Sequence, residues 1–213
     1  MKSFKNTCLI LVLVIIQVYL VKAQDAPQYK YIISSESKLW FEGTSTLHGY
    51  KCVAKEITGT FIMKEIISDS TQTGFSNAAI TGILKIPVLS IDSGKGKMDK
   101  KMRKLLKADD YPEIIFELTN LEVTASPETG KAQVQLKTMG NVKVAGVEKT
   151  IALEVIGNLE ANGTIRFTGS KKLLMTDFNI KPPTMFFGRL KTGNEITVYF
   201  EIALIPSIQM SLN

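Results

Sequence analysis

The sequence predicts an all-β protein, an antiparallel barrel of about eight strands with one short amphipathic helix at residues 98–107. Three observations carry this. Apolar residues recur at every second position through most of the chain, so nearly every strand has one buried and one wet face, as antiparallel sheets do. The alternating runs follow one another through short turn-like connections, with no internal repeat of fixed period, which is the order of a meander. A sheet that long tends to curl, and closing it removes its exposed edges. A β-sandwich shares the same alternation, so periodicity alone does not separate the two.

The first 23 residues read as a leader. Lys2 and Lys5 precede the unbroken apolar run Leu9 to Ile16, and Val21-Lys22-Ala23 has the small-x-small form of a cleavage site. A secretory signal peptide cleaved after Ala23 is therefore expected; the apolar run is short for a membrane anchor. Gln24 to Asn213 then form a single domain, long enough for a sizeable core.

Tyr29 to Ser34 and Lys38 to Thr46 are predicted strands about a Ser-Ser-Glu-Ser turn, followed by the turn Ser45 to Tyr50. A long strand is expected from Cys52 to Ile67, with Ile57, Phe61, Met63 and Ile67 on one face. Ser68 to Gly74 is turn-like, and Ala78 to Ser90 alternates again through Ile80, Leu84, Ile86 and Val88.

The helix comes next. Met98, Met102, Leu105 and Leu106 stand at the spacing of one apolar stripe, with Lys100, Lys101, Arg103, Lys104 and Lys107 around them. Pro112 stops it, because the residue before a proline is pushed out of the α region. Such a lone helix must lay its apolar face on the sheet.

Pro112 to Thr124, Ala132 to Val144 and Thr150 to Leu159 are the following strands, with a Pro-Gly turn at Ser126 to Gly130. Asn162-Gly163 is a hairpin signal. Ile165 and Phe167 follow it, then Leu173 to Ile180, and Glu195 to Leu204 closes the set with Ile196, Val198, Phe200, Ile202 and Leu204 on one face.

Composition excludes several function classes. The chain carries 26 basic and 20 acidic side chains; without Lys2, Lys5 and Lys22 the excess falls from +6 to +3, too little to indicate a nucleic-acid partner. Of two cysteines only Cys52 lies beyond the leader, so no internal disulfide is expected and Cys52 reads as a buried small hydrophobe. His48 is the single histidine and reads as a turn or rim residue. Neither a nucleophile elbow nor a set of metal ligands accompanies it, so no catalytic and no metal residues are assigned. Asp109 and Asp110 are neighbours and do not face each other as an acid–base couple.

Phe41-Glu42-Gly43 with Gly59-Thr60-Phe61, Asp99 to Leu106, Tyr111-Pro112-Glu113-Ile114-Ile115-Phe116, Val144 to Lys149 and Phe178-Asn179-Ile180 resemble the YceI-like family in order and spacing. The resemblance covers essentially the whole chain beyond the leader. It implies an exported bacterial protein, periplasmic or secreted, with an extended lipocalin-like barrel and a helix near its mouth. The cavity would take a polyisoprenoid, an isoprenoid quinone or a similar long-chain lipid, with no other cofactor. The turn Ser45 to Gly49 and the Pro-Pro-bearing stretch Lys181 to Gly188 depart from the commoner pattern.

The alternating faces propose Phe61, Met63, Ile80, Leu84, Phe116, Leu118, Phe167, Val198 and Phe200 as the wall of the cavity, in an interior nearly free of charge. The resemblance, which places the helix by the cavity, adds Leu105 and Leu106. The function expected is sequestration or carriage of the lipid without chemistry. An enzyme acting on an isoprenoid-type substrate and a partner-binding module with a filled core are the alternatives. The basic helix face offers transient contact with a membrane surface. Monomer and dimer stay open.

Overall fold

The computed structural model describes residues 28–65, 78–125, 133–185 and 189–207. The expected leader, the segment Ser68 to Gly74, the turn Ser126 to Gly130 and residues 186–188 lie outside them. The strands are β1 (Gln28–Ile33), β2 (Lys38–Ser45), β3 (Gly49–Ala54), β4 (Thr58–Glu65), β5 (Ala78–Pro87) and β6 (Ile91–Asp92). After helix α1 (Gly96–Leu105) come β7 (Glu113–Ala125), β8 (Gln133–Val144), β9 (Val147–Leu159), β10 (Ile165–Leu174), β11 (Thr184–Met185) and β12 (Leu190–Pro206).

The sheet runs β1–β4–β5–β7–β8–β9–β10–β12, and β12 pairs back onto β1, so it is a closed barrel rather than a sandwich. Three of its walls are long strands bent once. Along β12, Ile33 faces Leu204, Lys38 faces Glu201 and Ser45 faces Thr192, so β2 prolongs β1. In the same way β3 pairs with β2 as β4 pairs with β1, and β6 pairs with β3 as β5 pairs with β4. Counted so, the barrel has eight antiparallel walls, each beside its sequence neighbour.

The bends correct the reading of Cys52 to Ile67 as one strand and of Ser34 to Ser37 as a reversing turn. At the first bend the ladder is kept by a side chain: Ser37 Oγ accepts the Ala203 N–H (3.0 Å) and donates to the Ala203 carbonyl (3.3 Å). At the second, Lys55 N–H donates to the Ser90 carbonyl (3.0 Å) across to the third. There β5 ends at Pro87 and a 3-10 turn, Val88–Ser90, ends the strand expected to reach Ser90. The inward parity switches at two of these bends, from Cys52 and Ala54 to Phe61, and from Leu84 and Ile86 to Ile91. One extra residue flips every later side chain to the other face, as a bulge does.

Two further boundaries move. Ile165 to Leu174 is one strand, and Met175–Phe178 is a 3-10 turn ended by Asn179 in the left-handed region (φ 57), so no strand runs from Leu173 to Ile180. The last strand begins at Leu190 rather than Glu195, because its first residues pair with Thr184 and Met185.

Cross-strand glycines admit aromatic rings to the wall. Phe61 lies over Gly82, Phe200 over Gly169 and Tyr50 over Gly43, each directly opposite in register, and a Cβ at any of these glycines would collide with its ring.

The helix starts two residues before and ends two residues before the expected 98–107. Its end is not set by Pro112. Lys107 takes a left-handed conformation (φ 53), its N–H bonds to the Lys104 carbonyl (3.2 Å) and the Ala108 N–H to that of Arg103 (3.0 Å). That is a Schellman closure, here without the usual glycine. Leu106 is buried and Met98, Met102 and Leu105 pack against the core, so the apolar stripe faces the barrel. No helix among the described residues is long and apolar enough to cross a membrane.

Asp99 fastens the helix to the strand before it. It is 7% exposed, and its Oδ1 accepts from Ser93 Oγ (2.6 Å) and Ser93 N–H (2.9 Å). The Ser93 hydroxyl bond, more than any other contact, holds the carboxyl below the ordinary aspartate range against the opposing effect of burial; Arg103, one turn on, adds to it. A lowered folded pKa contributes stability that is complete above the unfolded value and lost as pH falls through the folded one. Asp99→Asn is therefore expected to cost on the order of 1–2 kcal/mol at pH 7. The gap to wild type should narrow as pH falls below about 4. Denaturant titrations at a series of pH values measure this; a gap that does not narrow in acid would show that the carboxylate charge is not what matters.

Candidate ligand cavity

The barrel interior is not filled. It holds a cavity of about 850 Å³, inside the range of sites that take small organic ligands. This removes the basis for a module whose interior is simply packed.

Ten of the eleven sequence-proposed wall residues line it: Phe61, Ile80, Leu84, Leu105, Leu106, Phe116, Leu118, Phe167, Val198 and Phe200. Met63 does not. It stands one inward position beyond Phe61, paired with Ile80 towards the end of β4, and packs against the buried core instead. The wall is continued by residues the sequence reading did not single out, among them Phe41, Ile91, Met102, Ile151 and Phe178. Ile91 was hidden by the change of parity at the third bend. Phe178 was hidden because its strand was drawn through a 3-10 turn.

One end of the cavity is different. There the β2–β3 turn, the start of the helix, the end of β10 and the start of β12 meet. Thr46 Oγ1 accepts the Lys191 N–H (2.9 Å), and Lys101 Nζ donates to the Thr184 carbonyl (3.2 Å), which holds the helix against β11. His48 is exposed here, its Nδ1–H donating to the Gly49 carbonyl (2.8 Å), while Ser45 Oγ donates to the His48 carbonyl (2.7 Å). It is a rim residue in a locally bonded turn.

The interior, expected to be nearly free of charge, carries one half-buried lysine, Lys171, and four exposed lysines border its open end. Lys95, Lys97, Lys101, Lys171 and Lys191 line the cavity, and no aspartate or glutamate does among the described residues. Lys171 is on the inward face of β10, in phase with Phe167 and Leu173 and opposite Val198. The sequence reading missed it because it drew Phe167 and Leu173 in separate strands and so did not carry the phase through Lys171.

Cys52 has no exposed surface, and burial, then the charges of Asp99 and Asp92, push its thiol up to about 12, so it is an inert core residue. Asp109 and Asp110 are exposed. Among the described residues no three His, Cys, Asp or Glu side chains converge as a metal site.

Solved structures of the same fold include Burkholderia cenocepacia BcnA, at 15% identity over 79% of this chain and 96% of that one, with a TM-score of 0.57. A polyisoprenoid binding domain from Saccharophagus degradans, implicated in plant cell wall breakdown, matches at 11% identity, 86% and 100% coverage and a TM-score of 0.61. The Campylobacter jejuni YCEI protein matches at 17% identity, 75% and 86% coverage and a TM-score of 0.55. No curated protein matches the chain. The model of the YceI-like domain matches residues 31–204, from β1 to the closing residues of β12, and with that span the chain belongs to the YceI-like family.

Proposed function

We propose that this is an exported, non-catalytic protein that sequesters or carries a long-chain apolar lipid, of the polyisoprenoid or isoprenoid-quinone kind, inside the barrel. The observation that carries this is the cavity itself: about 850 Å³ enclosed by aliphatic and aromatic side chains from the strands and the helix. Burying a hydrocarbon chain there yields roughly 0.8 kcal/mol per methylene, so a long tail binds without a polar pocket. The description of the Saccharophagus degradans domain agrees with such a cargo. An acid–base mechanism finds little support, since among the described residues the wall offers no carboxylate to work with His48 or a lysine. The exposed Lys100, Lys104 and Lys107 of the helix and its end give it a surface for anionic head groups while lipid is exchanged.

The test is made on protein purified from its own cell envelope without detergent. Native mass spectrometry should show a stoichiometric adduct, and a solvent extract should contain one lipid of matching mass. Protein that arrives empty and takes up neither prenyl nor acyl lipids would overturn carriage.

A further inference from the structure

The lysines at the helix end have a feature the lipid-binding reading leaves unused. Adjacent residues of β10 show it. Lys172 points outward and pairs with Glu195 (2.9 Å); Lys171 points inward and pairs with no described carboxylate. Three further cations on the outer wall are matched in the same way, Lys38 by Glu201, Lys51 by Glu42 and Lys85 by Glu113. Five lysines line the cavity, Lys171 half-buried on the inward face of β10 and Lys95, Lys97, Lys101 and Lys191 exposed around its open end, and among the described residues none of Lys95, Lys97, Lys171 and Lys191 has an acidic partner. The Tyr50 hydroxyl lies at this end too. It is buried and without a hydrogen-bond partner, and burial, with a smaller effect of Cys52, pushes its pKa up to about 12, so it remains a donor. A cationic group on the wall of an apolar lumen is stabilised by an anion that enters with the apolar chain, and the anion by the lysines.

Building on the lipid-carrier reading, we propose that the cargo is an amphiphile with an anionic head group, a carboxylate or a phosphate monoester. Its head lies between Lys171, Lys191 and the helix lysines, and its tail runs down the barrel. The lysines then do more than solubilise a rim. They fix which way the lipid enters and favour an anionic head over a neutral one on a chain of the same length.

The experiment uses matched pairs that differ only in the head: oleate against oleyl alcohol, and geranylgeranyl phosphate against geranylgeraniol. Binding to the purified, delipidated protein is measured by calorimetry at two salt concentrations. At least one acid should bind tenfold or more tightly than its alcohol, and which one does identifies carboxylate or phosphate. In Lys171→Met that ratio should fall several-fold, and in Lys171→Met with Lys191→Met it should approach one, through loss of affinity for the acid. Acids and alcohols that bind equally well would overturn the head-group proposal and leave lipid carriage standing. A preference that survives the double substitution would overturn the assignment to these lysines. Failure of all four probes would strike the carrier reading itself.

Discussion

Val198→Trp is expected to reduce lipid affinity roughly 100-fold or more while the barrel stays folded. Val198 lines the cavity midway along β12, between Phe41 on β2 and Lys171 on β10. Its side chain is half-buried, with open lumen before it, so a larger group extends into space rather than into packed neighbours. That distinguishes it from a substitution in a filled core, where added volume costs typically about 1–3 kcal/mol. An indole there denies a bound chain the room of several methylenes. At roughly 0.8 kcal/mol each, four of them are worth about 3 kcal/mol, or more than two decades in Kd at about 1.4 kcal/mol per decade. Thr197→Trp is the control. Thr197 is the next residue on the same strand and faces outward between Glu42 and Lys172, so it should leave affinity unchanged. Equal binding by wild type and Val198→Trp would mean that the lipid does not occupy this lumen.

The two sites also show what the sequence could and could not carry. Along β12, Ile196, Val198, Phe200 and Ile202 alternate without interruption, so that face was readable at once, and all four line the cavity. Phe116 and Leu118 on β7 were readable for the same reason. Period two fails where the backbone bends. Cys52 and Ala54 point inward at even positions and Phe61 at an odd one; that change of phase at Lys55 to Ile57 is visible in the residues and marks a bend, but alternation resumes so soon that one strand fits almost as well. The bend at Ser34 to Ser37 keeps its phase and was not legible as a bend, since Ser-rich stretches read equally as turns. It became one only because Ser37 can stand in for the backbone against Ala203. Lys171 is a different failure. A lysine between Ser170 and Lys172 reads as surface, and only its phase with Phe167 and Leu173 says otherwise.

Leu204→Ala is expected to lose about 2–5 kcal/mol, a large part of the 5–15 kcal/mol or so that holds a typical domain together. Leu204 has 1% of its surface exposed and sits where the sheet meets itself, facing Ile165 on β10 and Ile33 on β1. At this end of the seam Tyr31, Ile32 and Ile33 of β1 pair with β12, and β2 continues the same wall with seven more pairs beyond the bend. Unlike the cavity wall, this place is packed on every side, and Ile165 opposite is also 1% exposed, so truncation opens a sealed void that the neighbours cannot collapse to fill. Ile151→Ala makes the comparison: Ile151 already borders the lumen, loses contacts on one side only, and should cost less. In urea, with a slope of about 1–3 kcal/mol per molar, Leu204→Ala should lower the midpoint by a molar or more and Ile151→Ala by clearly less. Amide exchange should report the same difference locally, with Leu204→Ala speeding exchange at Ile33 and its neighbours before that of β8 and β9. Equal costs for the two substitutions would mean that closure at β1 contributes nothing to stability, and that the wall on the β1 side stands on β4 alone.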